Sequence, residues 1–132
     1  MEQQSWERYG TNLTLAMTVT THSSDINILR DYRHHFGMEP DAIYSWDLPE
    51  EKRKPSTYAL DNIMEKYSFT PDQLLVVDDM KPAYEMASKA GVAICFAAWG
   101  REDYPEIAEE MRRLCDYSFD CTSDLKKFLF EV

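Results

Sequence analysis

The stretch LLVVDDMKPAYEMASKAGVAICFAAW, residues 74–99, decides the fold class of this 132-residue chain. It predicts a strand over 74–77, a helix that begins at Pro82 and stops at Gly91, and a second strand over 92–99. Both strands are continuously apolar rather than alternating, which is typical of strands that are covered on both faces. A strand, a helix and a strand in this order form a right-handed crossover between parallel strands. The stretch therefore predicts an α/β architecture with a parallel sheet.

The same alternation of apolar runs and amphipathic stretches extends in both directions along the chain. The predicted strands lie near residues 13–20, 42–46, 74–78, 92–98 and 117–121. Helices are predicted after an N-cap at Ser23, Ser24 or Asp25 with a stop at Gly37, from Pro55 or Ser56, from Pro82, after a cap over 103–106, and from Thr122 or Ser123. A single helical turn is predicted over 70–73, where Thr70 and Gln73 have capping-box spacing. We expect a three-layer α/β/α, Rossmann-like domain over residues 1–132, with one mostly parallel sheet of about five strands.

The composition of the chain indicates which classes of binding partner and which cellular compartment suit the protein. The chain has 24 acidic and 14 basic residues and a net charge of −10, which argues against nucleic-acid and anionic-membrane surfaces. No apolar run approaches the roughly 20 residues that a membrane helix needs. Three scattered cysteines fit neither a disulfide framework nor a zinc motif, and we expect Cys95 and Cys115 to be buried. These features predict a cytoplasmic protein with no nucleic-acid and no membrane partner.

The residues that follow the first four predicted strands lie at the sheet edge where α/β proteins bind their ligands. They are Thr21, His22 and Ser23 after the first strand, Lys54 after the second, Asp78 and Asp79 after the third, and Trp99, Gly100 and Arg101 after the fourth. Hard carboxylates bind Mg²⁺, a lysine neutralises phosphate charge, and a hydroxyl donates to a phosphoryl oxygen. This set predicts a magnesium and phosphate site.

Each of these residues also has a structural interpretation. The pair Asp78–Asp79 would also suit a solvated loop or a cap for the helix at Pro82, although its place directly after an apolar strand favours a site. Lys54 belongs to a run of three basic residues that would suit an ordinary solvated loop. Thr21 would suit a helix cap, and His22 a packing role. The case for a site therefore depends on the order of these residues and on their placement at strand ends.

In this order, the residues resemble the haloacid dehalogenase superfamily, most closely its phosphoglycolate-phosphatase-like branch. The matching segments are VTTHSS with Thr21, KRKPSTYAL with Lys54, and LLVVDDMKPAYEMASKAGV with Asp78–Asp79. The resemblance implies that Thr21 and Lys54 bind the substrate phosphoryl group as catalytic residues, with His22 and Ser23 beside them. It implies that Asp79 is a Mg²⁺ ligand, and that Asp78 is either a second ligand or an acceptor behind it.

One departure from the family pattern is severe. Members carry an Asp-x-Asp-Gly-Thr segment near the N-terminus that supplies the nucleophile, and no aspartate here is followed by another two positions later. The resemblance therefore predicts that the chain corresponds to the C-terminal two-thirds of such an enzyme, or to a degenerate member, without the cap domain. Residues 1–12 are interpreted as the tail of a helix. A missing N-terminal segment or a homo-oligomer partner would then complete the protein.

Three functions remain open at this point. The first is a Mg²⁺-dependent phosphatase for a small phosphorylated metabolite, in which this chain alone is inactive because the covalent phosphoenzyme route lacks its nucleophile. The second is a catalytically inactive binding or interaction module. The third and most remote is a receiver-like phosphoacceptor domain, whose acidic pair would come first in the chain. If the chain alone were active, the candidates for attack would be Asp78, Asp47 or a metal-activated water.

Overall fold

A computed structural model describes residues 16–130, which fall into two compact units divided between Arg53 and Lys54. The predicted helix tail at 1–12 and the first residues of the predicted strand 13–20 lie outside the described residues. Each unit is a parallel α/β structure by itself. The prediction of one domain over 1–132 stays a prediction.

The first unit contains two parallel strands and the helix that connects them. The strands are β1 (Thr18–Thr20) and β2 (Ala42–Tyr44), paired so that Val19 lies opposite Ile43. The helix α1 (Asp25–Phe36) begins where the Ser24 hydroxyl accepts a hydrogen bond from the backbone N–H of Asn27. It ends at Gly37, whose φ of 64° is the left-handed conformation that glycine adopts without strain. The N-cap is one of the three residues that the sequence offered, and the predicted stop at Gly37 is confirmed.

The second unit contains a three-stranded parallel sheet in the order β3–β4–β5. The strands are β3 (Leu75–Asp78), β4 (Ala93–Ala97) and β5 (Tyr117–Phe119). The helices are α2 (Tyr58–Tyr67), α3 (Lys81–Ala90), α4 (Pro105–Leu114) and α5 (Thr122–Phe130). Single helical turns lie at Glu50–Lys52 in the first unit and at Pro71–Gln73 and Ala98–Gly100 in the second.

The core of the second unit is centred on β4. Phe96 and Cys95 are fully buried, and Met86 of α3 and Met111 of α4 are also buried. Cys115 is buried as predicted, and burial raises the pKa of its thiol to about 11. These two cysteines therefore pack as small apolar side chains, as the sequence predicts.

The predicted class of fold is confirmed: residues 16–130 form five strands, the strands within each sheet are parallel, and helices lie on both sides of the sheets. The strands of residues 16–130 pair as two sheets, of two and three strands, rather than as the single sheet that was expected. Apolar periodicity identifies a strand but does not encode which strand pairs with it. Among these same residues, no helix is long and apolar enough to cross a membrane.

Two details differ from the sequence prediction near the site. The side chain of Val76 is buried, but Leu75 and Val77, on the other face of β3, are 36% and 40% exposed, so this strand is not covered on both faces as predicted. The strand predicted over 92–99 ends at Ala97, and a helical turn follows at Ala98–Gly100. This turn brings a second loop to the carboxyl end of the sheet.

Candidate functional site

Asp78 is the last residue of β3, and both oxygens of its carboxylate have partners. The Nζ of Lys54 donates to Oδ2 at 2.9 Å. Oδ1 accepts hydrogen bonds from the backbone N–H groups of Asp79, at 2.7 Å, and Met80, at 2.9 Å. The side chains of Lys54 and Asp78 are only 5% and 11% exposed. Asp78 therefore fixes both the lysine and the turn that follows β3.

The helix-cap interpretation of the acidic pair is thus partly correct for Asp78. Met80 is the N-cap residue of α3, and its side chain makes no capping hydrogen bond. Asp78 instead binds the backbone N–H groups of the two residues before the helix, which stabilises the entry to α3. Asp78 also forms an ion pair with Lys54, which lies 24 residues earlier in the sequence. A helix cap alone does not explain this contact.

Asp79 has a different environment from its neighbour. Its side chain is one-third exposed, and its Oδ2 lies 3.6 Å from the Nε of Arg101. The same Nε donates to the backbone carbonyl oxygen of Asp79 at 3.1 Å. Burial raises the pKa of Asp79 above its ordinary value of 3.8, and the charge of Asp78 adds to this, while Arg101 opposes it. The two adjacent carboxylates therefore differ: Asp78 holds Lys54 and the backbone of the following turn, whereas Asp79 is partly exposed to solvent.

We expect the Asp79 carboxyl to titrate above 3.8 in a ¹³C NMR titration of the native protein, because burial disfavours its charged form. Between 3.8 and the raised pKa the native state then binds more protons than the unfolded state. The contribution of Asp79 to stability therefore increases as the pH falls through that range. Arg101→Gln should raise the pKa further, and Arg112→Gln should not change it. A pKa at or below 3.8 would contradict this account.

The other predicted phosphate-binding residues lie in the first unit, in the loop after β1. The hydroxyl oxygen of Thr21 accepts the backbone N–H of Ser23 at 3.0 Å, and the backbone N–H of Thr21 donates to the carbonyl oxygen of Tyr44. His22 is exposed and lies edge-on to the ring of Trp46, with ring centroids 5.3 Å apart. The convergence of Thr21, His22 and Ser23 with Lys54 and the acidic pair stays a prediction.

Asp47, one of the alternative nucleophiles, has a structural contact at the start of α1. Its Oδ2 accepts the backbone N–H of Asp25 at 2.9 Å, and its own backbone N–H donates to the Ser45 hydroxyl. The Asp47 carboxylate therefore stabilises the beginning of a helix.

The donors available for a metal ion are few. Within the part of the chain that the structure describes, no three His, Cys, Asp or Glu side chains are grouped to hold a metal. Mg²⁺ is commonly bound through one or two carboxylates, with water and substrate phosphate as further ligands. The accessible carboxylate of Asp79 suits such a site, whereas both oxygens of Asp78 already have partners. The described residues therefore fit a metal ion that takes one carboxylate ligand from Asp79, with its other ligands supplied by water and substrate phosphate.

Arg101 is the residue that the sequence prediction missed. It follows the fourth predicted strand, and the sequence assigns it no role, yet its guanidinium contacts both the backbone and the side chain of Asp79. Its position beyond a strand end was the available signal. The partner could not be identified from sequence, because it depends on the pairing of β3 with β4.

Solved structures with a similar fold belong to haloacid dehalogenase-like proteins. A predicted phosphoglycolate phosphatase from Haemophilus somnus 129pt superposes with a TM-score of 0.76 at 20% identity, over 96% of this chain and 53% of that one. CbbY from Rhodobacter sphaeroides, as a mutant in complex with xylulose-(1,5)-bisphosphate, gives 0.67 at 19% identity, over 92% and 52%. A conserved haloacid dehalogenase-like protein from Agrobacterium tumefaciens gives 0.68 at 18% identity, over 93% and 57%.

These similarities establish the fold. The chain has a haloacid dehalogenase-like fold, which confirms that part of the predicted resemblance. It spans about half the length of the solved structures that it matches. No protein-family model and no curated protein sequence matches it.

Proposed function

We propose that the chain provides part of a Mg²⁺-dependent, cytoplasmic phosphatase that acts on a small phosphorylated metabolite. The observation that carries this proposal is the buried Lys54–Asp78 ion pair at the carboxyl end of β3, with the accessible Asp79 beside it, in a haloacid dehalogenase-like fold. A lysine and a carboxylate at this edge match the charge of a phosphoryl group and its metal.

Asp79 would hold the metal, and Asp78 would position the groups around it. The partners of Asp78 favour the second of its two predicted roles, an acceptor behind the ligand. Asp79 keeps a partly exposed carboxylate that can accept a further partner. When bound, Mg²⁺ would neutralise charge on the phosphoryl oxygens. The chain's own contribution is a carboxylate held in place at the end of a strand.

Lys54 and Thr21 would bind the substrate phosphoryl group. The Lys54 side chain is almost fully buried and held by Asp78, so its ammonium group would act with little solvent screening. Thr21, Ser23 and His22 would add hydrogen-bonding groups from the loop after β1. Such fixed donors stabilise charge that develops on phosphoryl oxygens, because they need no reorganisation during the reaction.

The substrate class is inferred from the similar proteins and from the charge of the chain. One similar structure is described as a predicted phosphoglycolate phosphatase, and another holds xylulose-(1,5)-bisphosphate. Phosphoglycolate and xylulose-(1,5)-bisphosphate are both small phosphorylated metabolites. A chain with a net charge of −10 lacks the extended basic surface that nucleic acids require. We therefore place the substrate among small phosphomonoesters, with no nucleic-acid or membrane partner.

A catalytically inactive binding module is the second candidate. The observation that favours it is the sequence itself, in which no aspartate is followed by another two positions later. A module of this kind would retain the Lys54–Asp78 pair and bind a phosphorylated ligand without turnover.

Phosphate release from phosphoglycolate, xylulose-(1,5)-bisphosphate and an aryl phosphate tests the proposal, measured with Mg²⁺ and with EDTA. We expect Mg²⁺-dependent release by the full-length gene product, loss of release in Asp79→Asn, and retained release in the matched surface control Asp103→Asn. The 132-residue chain alone should be at background. Ligand binding without release by the full-length product would support the binding module instead. Robust release by the chain alone would direct attention to Asp78, Asp47 or a metal-activated water.

A further inference from the structure

We propose that Gly100 and Arg101, which follow β4, are positioning residues that hold the Asp79 carboxylate at the end of β3. The pairing of the two strands brings these residues together, since Asp78 lies opposite Phe96 in the register. The turn after β4 therefore lies beside the turn after β3. This inference adds two residues to the site, and only its consequence for metal affinity rests on the proposed function.

Gly100 contributes space. A Cβ atom at this position would lie 2.9 Å from Cγ and 3.0 Å from Cβ of Asp79, and closer still to Oδ2. Gly100 is not among the glycines with positive φ, so its backbone conformation is open to any residue. The requirement for glycine is therefore steric, and it comes from one carboxylate side chain. An alanine would displace the carboxylate of Asp79 and, because the Cβ of Asp79 is fixed to its backbone, would also shift the two turns apart by a few tenths of an ångström.

Arg101 contributes a contact with the backbone and the side chain of the same residue. Its Nε donates to the backbone carbonyl oxygen of Asp79 at 3.1 Å and lies 3.6 Å from Oδ2. The Arg101 side chain is only 22% exposed, so the guanidinium has limited freedom to leave. Because it contacts the main chain and the carboxylate together, it ties the orientation of the side chain to that of the backbone.

Arg112 offers a matched control. Arg101 and Arg112 line the same cavity of about 400 Å³, together with Ala98, Pro105 and Ala108. Arg112 forms its ion pair with Asp120 rather than with Asp79. Replacing either arginine by glutamine removes one positive charge from the same region of the surface. An effect on Asp79 that is specific to Arg101 therefore reports the contact rather than the charge of the region.

The first test measures the rotamer of Asp79 by NMR, using three-bond couplings from its Cγ to the backbone nitrogen and carbonyl carbon. We expect a single rotamer in the wild-type chain, a different rotamer in Gly100→Ala, averaged couplings in Arg101→Gln, and wild-type couplings in Arg112→Gln. The backbone chemical shifts of β4 should remain native in all three variants. Wild-type couplings in Gly100→Ala or in Arg101→Gln would overturn the proposal.

The second test uses Mn²⁺ alone as the probe and follows its binding by electron paramagnetic resonance. Displacing the carboxylate in Gly100→Ala should weaken Mn²⁺ binding by about 10- to 100-fold, the effect typical of lost support around a metal ligand. If Gly100→Ala displaces the Asp79 carboxylate but leaves the affinity for Mn²⁺ unchanged, Gly100 has no role in metal binding. If wild-type chain binds Mn²⁺ no better than Asp79→Asn, the metal role in the proposed function fails, while the couplings still decide the positioning role.

Discussion

Replacing Lys54 by methionine should lower the free energy of unfolding by about 3–5 kcal/mol at neutral pH. The change leaves the Asp78 carboxylate, which is only 11% exposed, without its cationic partner. An unpaired charge in such a position loses its hydration without an equivalent interaction in return. Urea denaturation followed by circular dichroism measures the effect. The matched control Lys89→Met, at an exposed position of α3, should stay within about 0.5 kcal/mol of wild type.

A double variant separates the ion pair from simple loss of the lysine stem. In Lys54→Met with Asp78→Asn no buried charge remains, and the asparagine oxygen can still accept the N–H groups of Asp79 and Met80. We expect this variant to recover a large part of the lost stability, with a coupling energy of about 0.5–3 kcal/mol between the two positions. A Lys54→Met chain as stable as wild type, or additive effects of the two changes, would contradict the ion-pair account.

Phosphate release by the full-length gene product should fall by about 10²- to 10³-fold in kcat/KM when Lys54 becomes methionine, if the proposed function holds. The lysine would oppose negative charge on the phosphoryl group from a position that is 5% exposed, where solvent screens little. Release of phosphate under saturating Mg²⁺ gives the measurement. Lys89→Met is again the control and should retain wild-type turnover.

The same double variant shows whether Lys54→Met lowers phosphate release through lost stability or through a lost catalytic contact. Lys54→Met with Asp78→Asn should regain stability but remain inactive, because it restores no positive charge for the phosphoryl group. Recovered turnover in this variant would show that Lys54 acts only by supporting the fold. Turnover in Lys54→Met within a few-fold of wild type, in protein shown to be folded, would remove Lys54 from the proposed phosphate site.

Local signals in the sequence predicted the elements that carry the site. Gly37 and Gly91 end their helices with φ of 64° and 72°, and these stops depend only on the conformational freedom of glycine. The apolar run before Asp78 predicted a strand that ends there, and the pairing of Thr70 with Gln73 predicted the single turn before it. Such features depend on residues within a few positions of each other, so the sequence contains them in full.

Composition and periodicity could not distinguish Asp78 from Asp79, since the two residues are adjacent and chemically identical; only the family resemblance implied different roles for them. Their roles follow from partners that are distant in sequence: Lys54, 24 residues before Asp78, and Arg101, 22 residues after Asp79. The alternation of side chains along β3 and the register of β3 against β4 decide which carboxylate meets which cation.

The sequence by itself determined the α/β class, the approximate positions of the strand ends, to within about two residues, and the chemistry available there. The tertiary structure decided that Asp78 is an anchor, that Asp79 is accessible, and that Gly100 is needed for space rather than for its backbone conformation. It also decided that the described strands pair as two sheets. The physical reason is the range of the interactions. Backbone preferences and apolar periodicity act locally, whereas burial, ion pairing and steric fit depend on which distant segments are packed together.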